Sequence, residues 1–267
     1  MKICSLKLVC FSPTGTSRAI VQAVGRGIGH HAVELVDFTL PKTRERHLKT
    51  AADELLIVGV PVHVGRVPDV ACRWLRTLEA DNTPTACIVV YGNREFDDAL
   101  LELTDVIKER GGLPVAAAAF IGEHSFSSAD TPIAVARPDA ADLYQAELFG
   151  RAVEKKLRSA PSADESLSVE VPGNRPYRER LPRPAGSFIA TAEVCVECGS
   201  CAEACPVGAI DAENSAEVRD DECIFCCACI KSCPEHARTI RLSSLKEIAV
   251  RLSEECVVRK EPECFLR

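Results

Sequence analysis

The feature that most constrains this chain is a thiol pattern that occurs twice. Cys195-x2-Cys198-x2-Cys201-x3-Cys205-Pro206 recurs, 28 residues on, as Cys223-x2-Cys226-x2-Cys229-x3-Cys233-Pro234, each copy running on through x-x-Ala. The chain has 15 cysteines, of which nine crowd into residues 195–233, and only Cys4, Cys10, Cys72 and Cys87 precede them. Dispersed cysteines would suggest disulfides or buried thiols. Crowding at short, fixed spacings suggests metal ligation.

The spacing is that of bacterial two-cluster iron–sulfur ligation. Three closely spaced thiolates hold three irons of one cube, and the fourth, turned away by the following proline, reaches the other cube. Cys195, Cys198, Cys201 and Cys233 are therefore expected on one [4Fe–4S] cluster, and Cys205, Cys223, Cys226 and Cys229 on the second. Zinc is the competing reading, since four-thiolate zinc sites also use Cys-x2-Cys pairs. Eight thiolates in two cross-shared groups with Cys-Pro endings weigh against it. Cys227 directly follows a ligand and reads as a small buried neighbour, and His236 as a surface residue near a cluster. Cys256 and Cys264, two thiols alone, cannot hold a third cluster and read as reactive or packing residues.

Residues 1–157 alternate strand-like and helical patterns. Runs at 6–11, 32–38, 55–60, 86–91 and 115–121 are rich in Val, Ile, Leu or Ala without clean alternation, as expected for strands buried on both faces. Apolar residues at helical spacing fall in 17–28, 69–78 (with Asp69 as N-cap), 97–110 (ending at Gly111-Gly112) and about 139–157. Five strands alternating with helices imply an α/β doubly wound parallel sheet. A Pro- and Arg-rich linker is expected over 158–187, a small α+β two-cluster domain over 188–243, and a C-terminal helix with a tail over 244–267, opened by a capping box at Ser244–Glu247.

The start of the chain does not read as a signal peptide, because Lys7 interrupts its apolar stretch and a polar run follows at Ser12. No apolar run reaches membrane-spanning length, so the expected location is the cytoplasm, where thiols stay reduced. The net charge of −7 argues against nucleic acid as a partner. Residues 191–238 carry −7 by themselves while residues 151–183 carry +3. The basic linker could pack on the acidic module or dock a partner protein.

Phe11-Ser12-Pro13-Thr14-Gly15-Thr16-Ser17-Arg18 joins the first strand to the first helix. Such a turn offers free backbone N–H groups and the positive end of the helix dipole, which suit a phosphate. It is neither a Walker A loop nor a dinucleotide fingerprint. Two further loops leave the carboxyl ends of strands, where open α/β sheets bind ligands: Gly59–Pro68 and Tyr91–Asp98.

With these motifs in hand, the N-terminal half resembles a flavodoxin-like domain, and the whole chain resembles the flavodoxin–ferredoxin fusion proteins (EFR-type) of anaerobic bacteria and archaea. The carriers are Phe-Ser-x-Thr-Gly-x-Ser at 11–17, Val-Pro-Val-x-x-Gly-Arg-Val-Pro at 60–68, Tyr-Gly-Asn-Arg at 91–94, Ile-Gly-Glu-His-Ser at 121–125 and the two cysteine runs. The resemblance implies FMN, with Ser12, Thr14, Gly15, Thr16 and Ser17 on its phosphate. Pro61, Val62, His63, Val64, Gly65 and Arg66, and on the other side Tyr91, Gly92, Asn93, Arg94, Phe96 and Asp97, would flank the isoalloxazine. His63 stands where such proteins often have an aromatic residue; it could stack on the flavin, take up a proton with reduction, or make no contact.

FMN carries electrons singly or in pairs, whereas each cluster carries one. The first expectation is an electron-transfer protein serving redox partner proteins. An FMN-dependent reductase acting on a small molecule near His63, Asn93, Arg94, His124 or Phe126 is the alternative, and an α/β scaffold without FMN is a third reading. No nucleophile–base pattern or carboxylate pair stands out as catalytic. A homodimer would allow the clusters of one chain to meet the flavin of another.

Overall fold

The computed structural model describes residues 1–161 and 164–267. Residues 162 and 163 of the expected linker lie outside the described residues.

The strand-like runs form β1 (Ser5–Cys10), β2 (Val33–Asp37), β4 (Glu54–Pro61), β6 (Pro84–Tyr91) and β7 (Leu113–Ile121). All pair in parallel, in the order β2-β1-β4-β6-β7. This is the flavodoxin-like order, with its switch point beside β1. Two-residue strands β3 (Lys49–Thr50) and β5 (Glu79–Ala80) form a small separate ladder.

Helices α1 (Thr16–Ile28) and α4 (Ala140–Ser159) cover one face of the sheet, burying Ile20, Val24, Phe149 and Val153 against Leu8, Ile57, Ile88 and Phe120. On the other face, α2 (Asp69–Leu75) and α3 (Ala99–Glu109) bury Trp74, Leu100 and Ile107 against Val9, Val58, Val89 and Ala117. Both faces of β4 and β6 are thereby buried, which is why their sequences do not alternate.

Two expected caps differ. Pro68 is the N-cap of α2, and Asp69, one residue inside, pairs with Arg180 instead of capping. Helix α7 (Ser243–Glu255) starts from Leu242, which packs on the core of the thiol-rich module, and no side chain caps it. A capping box does open α4, between Asp139 and Asp142.

The described part of the segment, 158–161 and 164–187, is a strap on the first domain. Val169 is buried and its N–H donates to Pro114. Asp98, itself buried, accepts from the backbone of Asn174 and Arg178, while Arg175 pairs with Asp105 and Arg180 with Glu102. Most of the strap's arginines thus bind acids of the α/β domain. Arg183 alone reaches the acidic module, donating to the Cys223 carbonyl and lying 4.7 Å from the Phe225 ring centroid.

The module itself is small. A two-stranded antiparallel sheet, β8 (Ile189–Thr191) with β9 (Arg238–Ile240), closes it, and the short helices α5 (Ser200–Glu203) and α6 (Ala228–Lys231) carry the third thiol of each repeat, Cys201 and Cys229. The 28-residue repeat is written into the backbone, with positive φ at Glu197 and Phe225, at Gly199 and Cys227, and at Gly208 and His236.

After α7 the chain returns to the first domain. Strand β10 (Glu263–Phe265) pairs antiparallel with β7, opposite Ala117–Ala119, as a sixth strand that covers the sheet edge. Lys156 donates to the carbonyls of Val115, Leu167 and Leu266, tying helix, strap and tail together. The module is therefore held to the α/β domain at both of its ends. Among the described residues no helix is long and apolar enough to cross a membrane.

Candidate functional site

A cleft opens at the carboxyl ends of the central strands. Thr14 and Thr16 line it from the loop after β1, Pro61, Val62 and His63 from that after β4, and Tyr91 and Gly92 from that after β6. The loop after β7 adds Gly122, Glu123, His124 and Ser125; the expected flavin-flanking set omits all four, and only the reductase alternative named His124, although β7 ends on the same rim.

The phosphate-type turn has the features an anion needs. Gly15 adopts φ 86 as the N-cap of α1, and no acidic residue occupies the first helical turn. Ser17 is fully buried, and its hydroxyl has no partner among the described residues. An anion's oxygen would satisfy it together with the free N–H groups of the first turn. Ser12 shapes the turn: its hydroxyl accepts from the Arg18 N–H at 3.0 Å and its own N–H donates to Thr39.

The second loop is a tight hairpin. His63 and Arg66 exchange backbone bonds, and Val64 and Gly65 between them have φ of 52 and 75, as a two-residue primed turn requires. His63 is left on the cavity wall and Val64 at an exposed tip. The Arg66 guanidinium turns away to Glu102 at 2.8 Å.

In the third loop, Gly92 allows His124 to lie against the backbone, since a Cβ there would stand 2.2 Å from the imidazole. Asn93 is committed elsewhere. Its amide donates to the carbonyls of Cys256 and Val258 and accepts from the Lys260 N–H, so it holds the tail. Arg94 binds Asp97, and Phe96 packs on Tyr91.

Desolvation pulls both histidines down to about 4, with Arg180 adding to the effect on His63, and His63, Arg94 and Lys231 to that on His124. Both are neutral at pH 7. Nδ1 of His124 accepts from the Phe126 N–H, which places the ring proton on Nε2.

The thiols gather around two further cavities. One is lined by Cys195, Cys198, Cys201 and Cys233; the other by Cys205, Cys223, Cys226 and Cys229, with Cys227 beside them. These are the two cross-shared sets expected from the spacing. Among the described residues no three His, Cys, Asp or Glu side chains converge on a single-ion site. The Ala209 N–H donates to Cys205 Sγ at 3.2 Å and the Ala237 N–H to Cys233 Sγ at 3.3 Å, again 28 residues apart. Burial pushes the Cys229 thiol up to about 12 and raises Cys226 as well, so metal loading must displace their protons. Cys227 takes the left-handed conformation that Gly199 takes in the first repeat.

Cys226 lines the α/β cavity as well as the second thiol cavity. That apposition is held by Lys231, which donates to Glu123 at 2.6 Å and to the Ser127 carbonyl, and by Arg44, which donates to the Pro206 carbonyl. Rings of His124, Phe126, Phe188 and Phe225 run in contact across the same boundary.

Residues 187–257 match the 4Fe-4S dicluster domain family. No curated protein sequence matches the chain significantly. Among solved structures, the chain is similar to a flavodoxin from the domain Archaea (17% identity, TM-score 0.41, covering 58% of this chain and 99% of that one). It is also similar to a Streptococcus pneumoniae flavodoxin (15%, 0.39, 57% and 99%), and to the rubredoxin oxygen:oxidoreductase of Desulfovibrio gigas (14%, 0.40, 59% and 37%).

Proposed function

We propose that this chain, a flavodoxin-like α/β domain joined to a 4Fe-4S dicluster domain, passes electrons between two [4Fe–4S] clusters and FMN, and so converts between one- and two-electron chemistry for a protein redox partner. The observation that carries the reading is the position of Cys226, a wall residue of both the α/β cavity and the second thiol cavity. When bound, FMN supplies one- or two-electron chemistry and each cluster a one-electron step.

The chain's own residues have separate tasks in this reading. The turn at Ser12–Ser17 holds the phosphate end, with the Ser17 hydroxyl as a waiting donor. Neutral His63 and His124 stand at the cavity wall, where His124 presents its Nε2–H as a donor. Cys205, Cys223, Cys226 and Cys229 hold the cluster nearer that cavity, and Cys195, Cys198, Cys201 and Cys233 the outer one. Cys198 is exposed, which offers the outer cluster to a carrier in solution.

Anaerobic purification followed by iron, sulfide and flavin analysis tests this directly. About eight irons, eight sulfides and one FMN per chain are expected for two four-iron cubes. Two zinc ions in place of iron would overturn it.

A reductase acting on a small molecule is the second reading, favoured by His63, His124 and Ser125 on one wall. Of its other expected contacts, Asn93 binds the tail and Arg94 binds Asp97. Reoxidation of the photoreduced protein by protein acceptors alone would count against it.

A further inference from the structure

One departure of the internal repeat from symmetry places a charge next to the thiols. Five residues after Cys205 stands Ile210, and five residues after Cys233 stands Arg238. Each lines the cavity that its cysteine serves. Arg238 is only 2% exposed, and among the described residues neither terminal guanidinium nitrogen has a hydrogen-bond partner. Ser215, 1% exposed, lines the same cavity with its hydroxyl also unpartnered. Glu235 lies on the rim but is exposed and makes no ion pair with Arg238. An unpaired buried cation is costly enough that native structures supply a counter-charge. The second cavity is different: Phe188, Val207, Ala209, Ile210, Val218 and Ile224 line it, with no charged side chain among the described residues, and the two arginines near its thiols, Arg44 and Arg183, lie outside the lining and donate to the Pro206 and Cys223 carbonyls.

We propose that Arg238, helped by Ser215, is a built-in counter-charge and hydrogen-bond donor for the outer cluster, and that it makes the two clusters unequal. This rests on the ligand sets proposed above. A four-thiolate cluster is an anion that becomes more negative when it takes an electron, so a fixed cation and added N–H donors favour its reduced form. The backbone N–H bonds to Cys205 and Cys233 are alike in the two halves and cancel. The outer cluster therefore has the higher potential. A single electron on the module rests there, away from the α/β cavity, with no bond made or broken. Electrons leaving that cavity run outward, and the inner cluster is emptied for the second of a pair.

The test is a redox titration followed by electron paramagnetic resonance, on the full chain reconstituted anaerobically with iron and sulfide. Iron analysis comes first: a chain without about eight irons fails the cluster reading itself, whatever Arg238 does. In the loaded wild type the two clusters should titrate as separate waves, and coincident waves overturn the proposal. Cys198→Ser, which alters a ligand of the outer cluster alone, should move the upper wave and so identify it. Arg238→Met should lower the reduction equilibrium of that wave by about tenfold, about 59 mV for one electron, and move the lower wave less, because Arg238 lines the outer cavity and reaches the inner set only through its field at Cys229. Arg238→Lys should recover part of the shift. An upper wave that stays put in a fully loaded Arg238→Met protein, or two waves that move by equal amounts, overturns the proposal. Should Arg238→Met lose the outer four irons, separate waves in the wild type and retention of iron by Arg238→Lys decide the matter.

Discussion

The α/β domain and the thiol-rich module solve the problem of stability in opposite ways. The former buries two extensive apolar clusters, one on each face of its sheet, with Leu56, Ile57, Val58, Ile88 and Val89 almost entirely withdrawn from water. The module's core is nine buried residues, four of them cysteines: Cys201, Cys205, Cys227 and Cys229. A core that small does not offset the chain entropy of some fifty residues. The module must take much of its folding free energy from what its thiols hold. One region is a scaffold that a ligand visits, and the other is a wrapping that forms around its ligand.

Removing the metal should break the comparison open. Chelation of iron, or Cys226→Ala with Cys233→Ala, should abolish hydrogen-exchange protection across 188–243 while β1, β4 and β6 keep theirs. Protection that survives in the iron-free module would refute this view of it. The reverse experiment carries the next largest effect. Ile57→Ala empties a fully buried site in the central strand, and should cost about 2–5 kcal/mol in denaturant unfolding of the α/β domain. Iron content per folded chain should not change.

The same contrast decides what was legible in the sequence. The five parallel strands announced themselves because strands buried on both faces carry unbroken apolar runs, and the thiol sets because cube geometry dictates spacing. The sixth strand did not: three residues at Glu263–Phe265 have no periodicity to read, and only the free edge of β7 makes them a strand. Nor did the strap, whose prolines and arginines look like a linker until Asp98, Glu102 and Asp105 are seen to receive it. Loop membership at the cavity was only partly readable. Asn93 and Arg66 sit in the right loops, yet their side chains serve the tail and Glu102, because orientation depends on tertiary partners. Arg238 reads as one more surface charge until the 28-residue repeat is overlaid on the cavities.

Acidity should expose the cavity side of the scaffold. Folding holds His63 and His124 at about 4, below the ordinary value of 6.5. Below pH 6.5 the unfolded chain therefore binds protons that the folded chain does not, so stability is lost as pH falls from 6.5 toward 4. The loss should be on the order of 1–2 kcal/mol per histidine, allowing for the cavity's access to water. Urea unfolding of flavin-free protein at pH 7 and pH 5 measures it. Replacing both histidines by Gln should remove that part of the pH dependence, and an unchanged slope would show that the rings are solvated.

The smallest effect tests the seam between the two regions. Lys231 belongs to the module and Glu123 to the cavity wall; their bond is 2.6 Å long, with side chains 32% and 26% exposed. Partial exposure limits the pair to about 1 kcal/mol in a double-mutant cycle. Its leverage lies elsewhere, because Lys231 lies between Cys229 and Cys233 and its second bond, to the Ser127 carbonyl, grips the loop after β7. Glu123→Lys or Lys231→Glu should thus slow electron passage between module and cavity, measured by stopped-flow absorbance, with iron and flavin content unchanged. The swapped pair should restore it only in part, since the charges again oppose each other but a carboxylate at 231 cannot donate to the Ser127 carbonyl. Equal rates in all four proteins would mean that the strap and tail alone hold the module in place.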